Sequence, residues 1–339
     1  MAREQRIGVA PYPLAGPRHT AAGDERRVGV ELELAGLRPS QIAGIAQAVF
    51  DGELIQRSAF EYDANAPQLG RIEIELDARW LQRAGEGLEN LAASGDVQAG
   101  IGVGLQDALE ALARRLIPCE VVMPPLPISA LQRIDPLIER LREAGAVGTR
   151  ESVAYAFALQ LNPEVPALTV ETVLRYLQAF LCLYDWLVHE EKIPLQRRLL
   201  PFVDAFPKDY ARLVLDDAYA PWMSQLIDDY LAYNPTRNRA LDLLPLLAHI
   251  DEPRVRAAVG KQKVKPRPTF HYRLPSSDID QPGWSPRAAW TRWLQVEQLA
   301  ADSARLAQCR RAWREHHAAL SIHLTPWHEK LTPWLAAVH

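Results

Sequence analysis

Apolar and anionic residues alternate with a period of two in Val28-Gly29-Val30-Glu31-Leu32-Glu33-Leu34 and again in Arg71-Ile72-Glu73-Ile74-Glu75-Leu76-Asp77. Successive side chains of a β-strand point to opposite faces, so the pattern predicts two strands. Val28, Val30, Leu32 and Leu34 share one face of the first, and Glu31 and Glu33 share the other. In the second, Ile72, Ile74 and Leu76 oppose Glu73, Glu75 and Asp77. Taken singly, either strand reads as half of a sheet with a solvated acidic face. Placed in one sheet, the two make a concave carboxylate surface. Like charges ~4 Å apart repel by about 4 kcal/mol at an effective dielectric near 20. Such a surface therefore calls for cations, and hard oxygen ligands without thiolates suit Mg²⁺ or Mn²⁺.

Elsewhere the pattern spreads strands over the first half of the chain, with one return near residue 270 and helices between and after them. That is an α+β organisation rather than a regular βαβ succession. Residues 1–27, polar and broken by Pro11, Pro13, Gly16 and Pro17, read as an extended, partly mobile arm. Pro39-Ser40 opens a helix with Ile42, Ile45, Ala46 and Val49 at helical spacing. A strand over 53–60 follows, and a polar loop over 61–70 feeds the second acidic strand. A mobile Gly- and Ala-rich connection is predicted over 85–104, then an amphipathic helix over 103–116. The segment 117–127 reads as a short strand stopped by Pro124, Pro125 and Pro127, which cannot donate to a ladder. Ser129 is placed as the cap of a helix reaching Ala144. The stretch 155–162 predicts a buried strand with Tyr155, Phe157, Leu159 and Leu161 on one side. Ala156, Ala158, Gln160 and Asn162 line its other side, where small residues and amides leave room for a ligand. Thr169 to His189 is helical, with Tyr176, Phe180 and Tyr184 assigned to the core. Proline-rich helical segments run to Val259, and a basic loop follows with Lys261, Lys263, Lys265 and Arg267. The last strand, 269–274, sets His271 and Arg273 against Phe270 and Tyr272, and a long helical region over 286–318 carries Trp290, Trp293 and Trp313.

Bulk properties narrow the class without deciding it. The 339 residues are 48% hydrophobic and 24% charged, with a formal net charge of −4, so nothing points to nucleic acid or an anionic membrane as partner. Cys119, Cys182 and Cys309 show neither a zinc-type spacing nor a disulfide framework, which makes the cytoplasm the default expectation. No P-loop, GxGxxG turn, GxSxG elbow or HExxH helix is present. Any handling of ATP must therefore use carboxylate-bound metals and arginines.

The order GVELEL over 29–34, an acidic E-x-D strand at 75–77, CEVVMPPL over 119–126 and a Tyr-Arg strand end at 272–273 resembles the amidoligases. These are carboxylate–amine ligases related to glutamate–cysteine ligase and, more distantly, glutamine synthetase. The resemblance covers about residues 28–275. It implies a curved, mainly antiparallel, glutamine-synthetase-like sheet with helices packed on one side and a helical C-terminal region. The implied organisation is an arm over 1–27, a catalytic domain over 28–275 with a helical insertion at about 166–260, and a helical extension over 276–339 packed on it. Further implications are ATP as co-substrate, two or three Mg²⁺ ions with Mn²⁺ as a substitute, and an acyl phosphate that an amine attacks. Glu31, Glu33, Glu75, Asp77, Glu120 and His271 are the implied metal ligands. Arg273 would brace the γ-phosphate or the tetrahedral intermediate, with Glu120 beside it, and Asn238, Arg239 and Gln160 are further candidates for nucleotide contacts.

Two positions depart from the family pattern. Gln160 stands where a histidine is expected, and His271 where a glutamate is expected. They keep open a second reading, a catalytically weakened nucleotide- or peptide-binding subunit of a ligase or amidotransferase pathway. A two-metal phosphatase or nuclease would explain the acidic strands alone. The substrate implied for a ligase is an amino acid or peptide, and the resemblance implies pathway partners of ATP-grasp or amidotransferase type.

Overall fold

The computed structural model describes residues 10–14, 16–76, 118–149, 157–193, 204–318 and 325–337. Asp77, Tyr155, Ala156 and the expected connection and helix over 85–116 lie outside them. The fold is α+β. Its seven strands are β1 (Arg27–Leu34), β2 (Glu53–Gln56), β3 (Glu61–Ala66), β4 (Gly70–Leu76), β5 (Cys119–Val122), β6 (Leu126–Pro127) and β7 (Leu159–Pro163). They join in the order β2-β3-β4-β5-β1-β6, with β7 also on β1, and all pairings are antiparallel. β5 and β6 lie along the same strand, β5 on Glu31–Leu34 and β6 on Arg27–Val28. Pro124 and Pro125, which lack an N–H, interrupt them, and the Met123 amide still donates to the Val30 carbonyl at 2.8 Å.

Both acidic strands form as their period requires, and their apolar faces are buried: Val28, Val30, Leu32 and Leu34 on β1, Ile72 and Ile74 on β4. α1 (Pro39–Phe50) packs on β3 and β4 through Ile42, Ala43 and Ala46. Each buried Val, Leu or Ile contributes about 1.5–3 kcal/mol. The expected polar loop over 61–70 is corrected to strand β3. Its inward positions are Tyr62, Ala64 and Ala66, and methyl-sized side chains hide the alternation that marks its neighbours. The expected helix from Ser129 is also corrected. Ile128–Ile134 forms a 3₁₀ turn, and α2 (Asp135–Glu143) begins only where Pro136 takes a first-turn position that needs no N–H donor.

α3 (Val170–Glu190) starts at Thr169, whose hydroxyl accepts from the Thr172 amide at 3.2 Å. Next come α4 (Lys208–Leu215), α5 (Met223–Tyr233), α6 (Leu244–Ile250) and α7 (Glu252–Val259). The expected helical region over 286–318 forms as two helices, α8 (Arg287–Ala301) and α9 (Ser303–His316), divided at Asp302, which caps the second. α3 packs against α8 and α9. Between them lie Phe270 and Tyr272, with Tyr176 stacked on Phe270 at 4.7 Å and Trp293 beside both. The expected last strand is not a continuous ladder. It meets β7 through an isolated bridge at Tyr272, and the residues flanking β7, Glu164 and Ala158, bridge to Thr269 and Ser276.

The described part of the N-terminal arm, expected to be partly mobile, is fastened to α8 and α2. Trp290 donates its indole N–H to the Pro13 carbonyl at 2.9 Å, and the Tyr12 hydroxyl donates to Asp135 at 2.6 Å. Arg26, fully buried, makes a two-pronged ion pair with Glu297 at 2.7 and 3.0 Å. Its remaining donors go to the carbonyls of Pro17 and Glu164. Gly16, at φ +82°, passes so close that a Cβ there would sit 2.9 Å from a Glu297 oxygen. Among the described residues no helix is long and apolar enough to cross a membrane.

All three cysteines are buried. Burial pushes the Cys119 thiol up to about 12 and raises Cys182 well above its ordinary value, the Cys309 thiol beside it adding to the effect. Because the thiolate is the reactive form, native protein at pH 8 should show no thiol reacting rapidly with Ellman's reagent, and all should react on unfolding. A fast native thiol would contradict this burial.

Candidate functional site

Strand register gathers the carboxylates. Glu33 on β1 lies opposite Glu120 on β5, Glu120 opposite Glu75 on β4, and Glu75 opposite Glu61 on β3. Residues directly opposite in antiparallel strands share a face, with Cβ atoms roughly 4.5–5.5 Å apart. One row of glutamates thus crosses four strands, and Glu120 in its middle is only 7% exposed. A second row runs from Asp63 through Glu73 and Val122 to Glu31 and Gln160. Asp63 is buried under Arg57 and Arg71. The two sequence stretches therefore do build a single acidic platform, with Glu120 between them.

On the β7 side the platform is held by amides and arginines. Glu31 accepts from Asn162 at 2.9 Å and from Arg267 at 3.1 Å, both on Oε1. Gly29 lets Asn162 lie against β1, since a Cβ there would stand 3.3 Å from the Asn162 Cβ. Burial would raise the Glu31 carboxyl, but the charges of His271 and Arg267 and these hydrogen bonds outweigh it and hold the group at about 2. Glu33 accepts from Gln160 Nε2 at 3.1 Å and from the Ala158 amide at 2.9 Å.

The two departures from the family pattern touch each other. Gln160 gives its N–H to Glu33, so its Oε1 faces His271 Nε2 at 2.6 Å, and that ring nitrogen must carry the proton. His271 Nδ1 lies between Asp242 at 3.2 Å and Arg237 at 3.3 Å. Burial pulls the imidazole below its ordinary value, against the charges of Asp242 and Glu31. Both ring nitrogens and both ends of Gln160 are thus engaged by protein groups, so His271 ligates a metal only if one of these contacts gives way.

Arg273 stands beside this cluster and donates to the Arg237 carbonyl. Arg239 is used within the fold, donating to Asn234 and to the carbonyls of Ala205 and Tyr233, while the Asn238 carbonyl accepts from Asp204. Sequence reasoning placed Asn162 on the right face but not among the site residues, and saw Arg267 only as one cation of a basic loop. It missed Arg237 and Asp242, whose roles depend on contacts made by distant loops and carry no local signal.

The face is acidic toward β3–β5 and carries arginines beyond β7. Carboxylate oxygens are the donor type Mg²⁺ takes. As placed, however, no three His, Cys, Asp or Glu side chains among the described residues converge closely enough to hold a metal ion. No curated protein and no solved structure matches the chain. One family does, on the segment that contains every element of the platform: the family described as "putative amidoligase enzyme" matches residues 24–295, so the chain belongs to the amidoligase family, whose ligases make amide bonds.

Proposed function

We propose that the protein is an ATP- and Mg²⁺-dependent ligase that joins the carboxylate of one substrate to the amine of an amino acid or peptide. The observation that carries this reading is the Glu33–Glu120–Glu75 row beside an arginine-bearing flank, in a chain of the amidoligase family. Phosphoryl transfer demands mainly positioning and charge neutralisation. Glu33, Glu75 and Glu120, with Glu31 at the border, would hold Mg²⁺, which when bound neutralises triphosphate charge. Arg267 and Arg273 would then orient phosphate oxygens, where a planar guanidinium suits two acceptors at once. In the first step a carboxylate oxygen of the substrate attacks the γ-phosphorus and ADP leaves. In the second, the amine attacks the acyl carbon, loses a proton, and the C–O bond to phosphate breaks. Partners of ATP-grasp or amidotransferase type would share the pathway.

The test is phosphate release from ATP and Mg²⁺ over a pooled panel of amino acids and small peptides, with Glu31→Gln and Arg273→Ala as controls. Release that needs an added carboxylate or amine and disappears in both variants supports the ligase. The mutual engagement of His271 and Gln160 favours one other reading, a nucleotide- or peptide-binding subunit. That reading takes over if ATP raises the melting temperature but is never hydrolysed. No effect of ATP at all would overturn the ligase and the nucleotide-binding subunit alike.

A further inference from the structure

After Glu252 the chain carries no Asp or Glu until Asp278, while residues 253–277 include seven Lys and Arg, in a molecule of net charge −4. The arginines are committed. Arg254 pairs with Asp228 and Asp251, Arg256 with Glu252 and Arg267 with Glu31, and Arg273 donates to the Arg237 carbonyl. Lys261, Lys263 and Lys265 are not. All three are exposed, and none makes an ion pair or side-chain hydrogen bond with a described residue.

The loop that carries them is fixed at several points. Gln262 donates its side-chain N–H to the Pro235 carbonyl at 2.9 Å, and Arg237 donates to the Lys263 carbonyl at 2.9 Å. Val264 packs against the core, and the Arg267 amide donates to the Pro245 carbonyl at 2.9 Å. Lys265 and Arg267 each precede a proline, which holds both in extended backbone. With Val264 turned inward, its neighbours Lys263 and Lys265 face out. The amides of Lys263, Val264 and Lys265 donate to no described residue. The loop is therefore an extended edge, about 20 Å long at most, with backbone donors and lysines to spare. It ends at Arg267, on the border of the acidic platform.

Such an edge suits an extended peptide, because main-chain pairing gives affinity while alternate side chains of the two segments meet. Three unpaired lysines call for carboxylates on those side chains. Nucleic acid is the poorer fit, since residues 260–268 contain no aromatic ring on which a base could stack.

We propose that the edge over 261–267 docks an acidic peptide, laid along it so that one end reaches Arg267 and Glu31. That this peptide is a substrate rests on the ligase reading, whereas its docking does not. Fluorescence anisotropy at low ionic strength, without ATP, would compare rhodamine-labelled hexaglutamate with hexaglutamine and hexathymidylate. Hexaglutamate is expected to bind and to weaken as salt rises. It should lose roughly tenfold in affinity in the double variant Lys263→Gln, Lys265→Gln. Neither lysine side chain has a polar partner among the described residues, so the variant tests charge without disturbing the fold. Arg133→Gln with Arg140→Gln removes the same charge from the 3₁₀ turn and α2, on the α1 side of the sheet, and should leave the affinity within about twofold. The docking edge is overturned if hexaglutamate does not bind, if hexaglutamine binds equally, if hexathymidylate binds more tightly, or if the two double variants lose affinity alike. Peptide binding without any phosphate release from ATP keeps the edge and removes the ligase, and release without peptide binding does the reverse.

Discussion

Arg26→Met is expected to lower stability by about 3–5 kcal/mol, because it leaves Glu297 as an uncompensated buried charge. Both side chains are fully buried, and Glu297 also accepts the Trp293 indole N–H at 2.8 Å, so no water is at hand to replace the guanidinium. Domains are stable by only about 5–15 kcal/mol, which makes this a large fraction of the total. Urea unfolding followed by tryptophan fluorescence measures it. Arg26→Met with Glu297→Leu should recover part of the loss, since a buried ion pair roughly breaks even against apolar groups of similar volume. A single-variant cost below about 1 kcal/mol would mean that the pair behaves as a solvated one.

The second large effect is expected at the platform. If the proposed chemistry holds, Glu33→Gln and Glu120→Gln should each lower ATP-dependent phosphate release by about a hundredfold or more, the scale set by removing one preorganised charge-stabilising group. Glutamine keeps the shape and one acceptor oxygen, so the sheet register should survive. Thermal melts supply the control. Wild type should gain melting temperature with Mg²⁺ and ATP, and the variants should gain less while melting similarly without them. Equal activity in Glu120→Gln would remove the middle of the row from the mechanism.

The acidic strands were legible because their alternation is complete and their inward residues are large. β3 was not, because Ala64 and Ala66 present too little apolar surface to stand out against Glu61, Asp63 and Asn65. For the same reason of period, Gln160, Asn162 and His271 could be placed on a face from sequence. That Gln160 and His271 touch was not readable, since β7 and the segment at 271 are far apart in the chain and each pattern is local. Arg267 shows the limit most clearly. Four cations spaced through a proline-broken loop look alike in sequence, and only folding brings one of them to Glu31. The break between α8 and α9 had a signal in Asp302 followed by Ser303, a cap pattern outweighed by the helical run on both sides.

The Arg26–Glu297 pair also sets a clock. Its members stand 271 positions apart, so a chain growing at about 5–20 residues per second waits roughly 14–54 s between making one and making the other. During that interval β1 emerges beside an arginine destined for full burial, while α8, which neutralises it, does not yet exist. Strand β1, which joins β5 and β6 to β7, thus cannot be sealed from its own end as it leaves the ribosome. Closure of the N-terminal half is deferred to the synthesis of the last helices, and nascent chains stopped before Glu297 would hold an open, chaperone-accessible sheet.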